Sequence, residues 1–326
     1  MTAFADNLTT VGGGEEPACL VVMYHYVGTR HGRDASGVRG ISPSHFEDQL
    51  DDLSRWGEPI SWSALLEVLS GGRSLPRRGF LLTFDDGLRD HIEIVAPILG
   101  ERRMTGVFSA SGRTLTGGGM CAAHQVHLLL NALPDATLLD AVRTQVQKAG
   151  LGIDLATGEQ AELERYAYED PARARLKHLL HHQIPIFERD RILGDLFRAH
   201  VGDPQTWTQR WYLSGRDARE LDAAGHTIGG HGFSHEPLTR LSGDDADTDV
   251  RRCAAVLTDL LGPAQRPFSY PFGAHDDRIA DVLRRCGFAA GFTTRSALLT
   301  RPIHRWRLPR VDTIHVAAFT ERSAVC

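Results

Sequence analysis

Short apolar runs alternate with helical patterns along the first part of the chain. Residues 19–23, 79–84 and 105–110 each form an apolar run long enough for a buried strand. Between the first two runs, Ser42 followed by Pro43 is typical of the start of a helix. Because strands that alternate with helices usually pair in a parallel sheet, this pattern predicts an α/β fold.

The same alternation resumes in the second half of the chain. In chain order, the pattern predicts a helix at 214–224, a strand at 226–230, a helix at 244–261, a strand at 268–270, a helix at 277–286 and strands at 288–294 and 308–312. We therefore expect one barrel domain over residues 17–326, preceded by a flexible arm at residues 1–16.

Residues 115–206 interrupt this alternation with a segment that shows no strand pattern. We interpret His178, His181 and His182 within it as a polar helix face rather than a second metal site, because no carboxylate or Cys lies at matching spacing. An insertion after a barrel strand either shapes the entrance to the substrate site or serves as a contact in a homo-oligomer. The helices predicted here are at 126–133, 138–149, 160–168, 172–182 and 187–200.

Composition and charge narrow the class of protein. The 326 residues include 42% hydrophobic and 24% charged residues, as in an ordinary globular protein. A net charge of −5 argues against a nucleic-acid partner, and no apolar run reaches membrane-spanning length. The start of the chain lacks the pattern of a secretory signal, and five scattered cysteines fit reduced thiols. These features predict a cytoplasmic protein.

Two adjacent carboxylates, Asp85 and Asp86, directly follow the apolar run at 79–84. Two like charges at a strand end are costly to keep ionised unless a cation is present. A bound metal would remove that cost if one Asp bound it and the other stayed available as a base. The alternative interpretation is a turn in which Asp caps a helix, since Asp-Gly is a common turn pair.

His231 and His235 follow the predicted strand at 226–230. Two histidines four residues apart lie on one side of a helical turn, within reach of one cation. Together with one Asp oxygen, they would leave coordination positions open for water and substrate, as in a catalytic zinc-type site. The two segments in combination therefore predict a metal-dependent active site.

These segments resemble the polysaccharide deacetylases of the NodB homology domain, carbohydrate esterase family 4. Residues 83–87 match the first motif of that family, residues 231–235 the second and residues 268–273 the third. The resemblance extends over residues 18–113 and 207–312. It implies a distorted (β/α) barrel with a helical insertion.

The resemblance also implies the roles of individual residues. Asp86, His231 and His235 would bind one divalent metal ion, with Zn²⁺ favoured over Co²⁺, Ni²⁺ or Mn²⁺, and Asp85 would be the base. The remaining site residues that it implies are His25 and Tyr270 in the pocket and the backbone N–H of Phe272 as oxyanion donor.

The chain departs from the family pattern in several places. Gly232 stands where Ser or Thr is usual, and Ser269 stands where an Arg usually pairs with the base. We expect Arg310 to replace that arginine in preference to Arg266, because the last strand of a closed barrel lies next to the first. A fourth family motif, Asp-x-x-Asp-Trp, is not found.

The general acid has no recognisable motif either. His315 is the candidate for that role, with Asp312 as a rival.

Three functions are compatible with these residues. The first is an N-deacetylase that acts on an amino-sugar-containing glycan, nucleotide-sugar or glycosylated metabolite. The second is a deformylase or another hydrolase of C–N bonds. The third is a catalytically silent carbohydrate-binding barrel, which is disfavoured because a binding protein needs no spare carboxylate such as Asp85 beside the metal.

Overall fold

The computed structural model describes residues 16–28, 40–153 and 170–320. These residues fall into two units: the first contains 16–28, 40–118 and 209–320, and the second contains 119–153 and 170–208. The arm predicted before residue 16 and the helix predicted at 160–168 lie outside the described residues.

A parallel sheet forms the centre of the first unit. Its strand order is β7-β6-β5-β4-β3-β1-β8, and β2 pairs with β3. Every pairing between these strands is parallel. The strands are β1 Ala18–Tyr24, β2 Glu58–Pro59, β3 Arg78–Phe84, β4 Gly106–Ala110, β5 Thr227–Gly230, β6 Pro267–Ser269, β7 Ala290–Phe292 and β8 Val311–Asp312.

The segment before β8 connects the two ends of this strand order. Leu308 forms a parallel bridge with Phe292 of β7, whereas Val311 pairs with Val22 of β1. The sheet therefore curls into a distorted barrel, and the predicted fold class is confirmed.

The helices predicted after Ser42 and at 214–224, 244–261 and 277–286 begin within one residue of their predicted starts. Ser42 accepts a hydrogen bond from the backbone N–H of His45, and Ser214 with Asp217 forms a reciprocal cap. Each cap satisfies N–H groups that have no partner within the helix. The helices are Pro43–Trp56, Trp62–Leu69, Ala96–Glu101 preceded by a π-helix at His91–Val95, Gly112–Leu115, Gly215–Ala223, Gly243–Leu261, Asp277–Arg285 and Val316–Thr320.

Both faces of the central strands are buried, as is usual for parallel sheets. On one face, the ring of Phe84 stacks between those of Tyr24 and Phe108, with centroid distances of 5.1 and 4.8 Å. On the other face, Leu81 lies in a separate apolar cluster. Because side chains alternate along a strand, the positions two and four residues after Leu81 lie on this second face. Those positions are Thr83 and, just past the strand end, Asp85.

The described part of the second unit is helical. Buried residues such as Leu129, Val142 and Phe197 give it an apolar core. Its helices are Ala122–Ala132, Asp135–Lys148, Pro171–His178 followed by a π-helix at Leu179–Gln183, and Ile186–His200; Pro204–Trp211, which the sequence did not predict, leads back to the first unit. A role of this insertion in substrate choice or oligomerisation stays a prediction.

No helix within the described ranges combines the length and the apolar character that a membrane span requires.

Candidate active site

A left-handed turn separates the two carboxylates that follow β3. The N–H of Asp85 still donates to the carbonyl of Tyr24, as if the strand continued. Asp86 and Gly87 then have φ angles of 74° and 62°. A Cβ at Gly87 would lie 2.6 Å from that of Ala110, so only glycine fits there. The two carboxylates consequently reach different partners.

The segment that contains His231 and His235 is a loop, so the predicted helical turn is wrong. Gly232 and His235 have φ angles of 70° and 62°, which a helix does not allow. The predicted convergence nevertheless holds, because the two imidazole rings are 4.8 Å apart between centroids.

Asp86, His231 and His235 form a buried group with the composition of a metal site. The candidate ligand atoms all lie within 4.8 Å of one another. Asp86 Oδ1 is 2.9 Å from Nε2 of His235 and 3.3 Å from Nε2 of His231. Within the described ranges, it is the one group of at least three His, Cys, Asp or Glu side chains with this spacing.

The surroundings of these side chains fit a divalent cation. His231 Nδ1 donates to the carbonyl of Ser269 at 2.7 Å, which directs Nε2 towards Asp86. Burial alone would lower the pKa of His231, but Asp85 and Asp86 outweigh it and raise the pKa above its ordinary value. Two imidazole nitrogens and one carboxylate oxygen are a donor set that zinc accepts.

Asp85 forms a buried ion pair with Arg310 instead. Arg310 Nη1 donates to Asp85 Oδ1 at 2.9 Å, and Arg310 Nη2 donates to Asp85 Oδ2 at 2.7 Å. Each of the two residues is 1% exposed. Arg310 Nε donates to the carbonyl of Thr293, and Nη1 also reaches the hydroxyls of Thr83 and Ser269. Arg310 is thus fixed in one orientation by groups on several strands.

This pair keeps Asp85 ionised. Burial by itself would raise the pKa of its carboxyl group. Arg310, with smaller contributions from His231 and His25, reverses this effect and holds the pKa of Asp85 well below its usual range.

The expected contact of Arg310 rather than Arg266 with Asp85 is confirmed. Arg266 is also buried, but it donates to the carbonyl of Ile228 and pairs with Asp222. Strand order explains the difference, because β8 lies beside β1 and β1 lies beside β3, which leads into Asp85.

The other predicted site residues lie at varying distances from this centre. His25, at the end of β1, is partly buried and close enough to affect Asp85 electrostatically. The ring of Phe272 is 5.3 Å from that of His235 between centroids, and Phe272 has a left-handed φ of 57°. Tyr270 is buried, and its hydroxyl donates to the carbonyl of Trp306, which favours support of the turn over contact with substrate.

Asp312 is the last residue of β8, and His315 lies in the turn that follows it. His315 is exposed, and within the described residues it makes no contact with Asp85 or with the ligand group, by which we mean Asp86, His231 and His235. Asp312 accepts a hydrogen bond from the N–H of Ile314, which caps the turn. Neither residue therefore contacts the ion pair of Asp85 and Arg310 within the described part of the chain.

Sequence reasoning missed two residues that hold the site together. Ser269 connects the candidate metal site to the ion pair, because its carbonyl accepts a hydrogen bond from His231 and its hydroxyl lies 3.3 Å from Arg310 Nη1. Its place in the third motif, where arginine was expected, was a usable signal. Asp249 accepts hydrogen bonds from two backbone N–H groups of the loop at 231–235, which we call the ligand loop. No feature of the sequence pointed to Asp249, because a single Asp in a predicted polar helix is common.

One protein family matches part of the chain. Residues 204–291 match the family model described as polysaccharide deacetylase, a range that includes the loop at 231–235 and the turn after β6. This part of the chain is therefore similar to the polysaccharide deacetylases. The match supports deacetylation of a carbohydrate as the class of activity. No curated protein matches the sequence.

Solved structures of deacetylases share the fold. IcaB from Ammonifex degensii is 18% identical, with a TM-score of 0.60 over 95% of this chain and 98% of its own. The Streptococcus pyogenes deacetylase PplD, in complex with acetate, is 14% identical, with a TM-score of 0.56 over 91% and 92%. The de-N-acetylase from Aggregatibacter actinomycetemcomitans is also 14% identical, with a TM-score of 0.56 over 90% and 94%.

The ligand group predicts how metal binding responds to substitution. We expect His231→Ala to lose most of the bound metal, because it removes one of three candidate ligands. His304→Ala, which alters an exposed histidine, is the matched control. Metal per chain is measured by elemental analysis after dialysis against Zn²⁺ and then against metal-free buffer. Full metal occupancy in His231→Ala would contradict the assignment.

Proposed function

We propose that this protein is a metal-dependent hydrolase that removes an N-acyl group, most readily acetyl, from an amino sugar or a glycosylated metabolite. The observation that carries the proposal is the ionised Asp85, which is held by Arg310 directly beside the ligand group of Asp86, His231 and His235. A carbohydrate-binding barrel would have no use for a buried carboxylate that is kept charged beside its metal.

The ligand group would hold one divalent cation, with Zn²⁺ favoured and Co²⁺, Ni²⁺ or Mn²⁺ as alternatives. When bound at such a site, a divalent cation lowers the pKa of water and polarises a carbonyl group. Asp86 and the two histidines supply the donors, and the bond from His231 to Ser269 keeps one imidazole oriented.

Asp85 would accept the proton of the attacking water. Its lowered pKa keeps it ionised at neutral pH but also makes it a weak base, so its position matters more than its basicity. The bidentate contact with Arg310 fixes the direction of both carboxylate oxygens.

Attack on the amide carbon would place negative charge on the former carbonyl oxygen. We assign the backbone N–H of Phe272 to stabilise that charge. The nearness of the Phe272 ring to His235 supports this assignment.

The leaving amine requires a proton, and we favour His25 over His315 as its source. His25 is partly buried and acts on Asp85 electrostatically, whereas His315 is exposed. A general acid must reach the same substrate atoms as the base, which favours the histidine beside Asp85.

A deformylase or another C–N hydrolase would use the same residues. An assay with several N-acyl substrates is therefore needed to identify the acyl group. Cytoplasmic location and oligomerisation through residues 115–206 stay predictions.

The proposed base is tested with Asp85→Asn. We expect this variant to retain its metal and to lose turnover by roughly 10²- to 10⁴-fold, because an amide cannot accept the proton of water while Asp86, His231 and His235 are unchanged. Amine release from N-acetyl and N-formyl amino sugars is measured, with Asp259→Asn on the protein surface as control. Near-normal rates would show that the proton is removed elsewhere, and no release from any substrate of the panel by the wild-type protein would contradict the hydrolase.

The role of the arginine is tested with Arg310→Met. We expect metal content to be unchanged and kcat to fall, because the change releases Asp85 and leaves the ligands in place. Arg266→Met removes a second buried arginine that lacks contact with Asp85 and should affect kcat less. If Arg266→Met is the more damaging substitution for kcat, the proposed role of Arg310 is wrong.

The proton donor is tested by comparing His25→Gln with His315→Gln. We expect His25→Gln to lower kcat for amides by roughly 10²-fold or more and to lower it much less for an aryl acetate, whose leaving group needs no proton. His315→Gln should change neither rate. If His315→Gln lowers kcat for amides and His25→Gln does not, His315 is the general acid and the proposed role of His25 is wrong.

A further inference from the structure

Asp249 binds the backbone between the two histidine ligands. Its side chain comes from the helix Gly243–Leu261 and is 7% exposed. Oδ1 accepts the N–H of Phe233 at 2.7 Å, and Oδ2 accepts the N–H of Ser234 at 2.9 Å. Both oxygens of one buried carboxylate are therefore engaged by consecutive peptide groups of the ligand loop.

The carbonyl groups of the same loop are held by a different part of the chain. Gly112 N–H donates to the carbonyl of Gly232 at 3.0 Å, and Arg113 N–H donates to that of Phe233 at 3.0 Å. The hydroxyl of Ser111 also donates to the Phe233 carbonyl, at 2.8 Å. The loop is thus fixed through its N–H groups by one element and through its carbonyl groups by another.

Gly232 shows how closely Asp249 approaches the loop. Its φ of 70° is left-handed, and a Cβ built there would lie 2.9 Å from Asp249 Oδ1. The carboxylate thus occupies the space that a side chain at this position would need. Glycine adopts left-handed and right-handed backbone conformations about equally readily. Gly232 alone therefore does not hold the loop in one conformation, and contacts from other parts of the chain are needed.

Such contacts matter because residues 231–235 are not themselves part of a helix or strand. The direction of each imidazole depends on the backbone that carries it, and groups behind the ligands typically change metal affinity by about 10- to 100-fold when they are removed. A loop held in its ligating conformation before the ion arrives does not have to be ordered on binding.

We propose that Asp249 is a positioning residue for the metal, which fixes the loop between His231 and His235 in its ligating conformation together with Ser111 on the other side. The inference rests on the proposed metal site. Asp249 touches neither the ion nor the substrate, so its effect is on the affinity for the ion more than on the reaction of the loaded protein.

The experiment measures the Kd of the metal-free protein for Zn²⁺ by competition with a chromophoric chelator. We expect Asp249→Asn to raise the Kd by about 10- to 100-fold, because an amide offers one acceptor oxygen and turns an N–H₂ group towards a backbone N–H. Asp249→Glu retains both acceptor oxygens and should bind Zn²⁺ more tightly than Asp249→Asn. Deacylation at saturating Zn²⁺ should fall by a smaller factor than the affinity for Zn²⁺ in both variants.

Asp259→Asn makes the same chemical change at an exposed position of the same helix and should leave the Kd unchanged. Each Tm is measured without metal, and the Kd is measured below all of them, so that lower stability alone does not mimic the effect. If the Asp249 variants do not fold, Ser111→Ala replaces them, with a smaller rise in Kd expected.

Two failures are distinguishable. A wild-type protein that binds no Zn²⁺ would overturn the proposed function and this inference with it. A wild-type protein that binds Zn²⁺, with the same Kd in a folded Asp249→Asn or in Ser111→Ala, would overturn the inference alone.

Discussion

The buried ion pair between Asp85 and Arg310 is the constraint on which the rest of the site depends. Removing one partner of such a pair leaves an uncompensated charge in the interior, at a cost of about 3–5 kcal/mol. Here the pair joins the loop after β3 to the segment before β8, across β1, and Thr293 and Ser269 bind the same guanidinium. The curled sheet and the charge of the candidate base therefore depend on one another.

The turn at Asp86 and Gly87 gives two neighbouring carboxylates different surroundings. Asp85 faces a permanent cation, while Asp86 faces two imidazoles that can share a metal ion. When two similar groups are held in environments this different, they can act as base and as ligand. Left-handed backbone recurs at His235 and Phe272, in agreement with the tendency of strained conformations to collect at functional sites.

Support from outside the motifs completes the site. Ser269 connects the candidate ligand His231 to Arg310, and Asp249, from the helix Gly243–Leu261, holds the loop between His231 and His235. Such residues decide how far the ligand atoms are fixed before a metal arrives, and hence how much of its binding free energy is used to order the loop.

The sequence by itself determined the alternation of strands and helices and the residue types at two strand ends, because apolar periodicity and adjacent carboxylates are local features. It also favoured Arg310 over Arg266, from the order of strands in a closed barrel. Only the tertiary structure decided that 231–235 is a loop rather than a helical turn, since residues 111–113 and Asp249, far away in sequence, bind residues 232–234 in a conformation with left-handed Gly232. It likewise decided that His25 lies near Asp85 while His315 is exposed, because distances between residues far apart in sequence follow from packing and not from spacing.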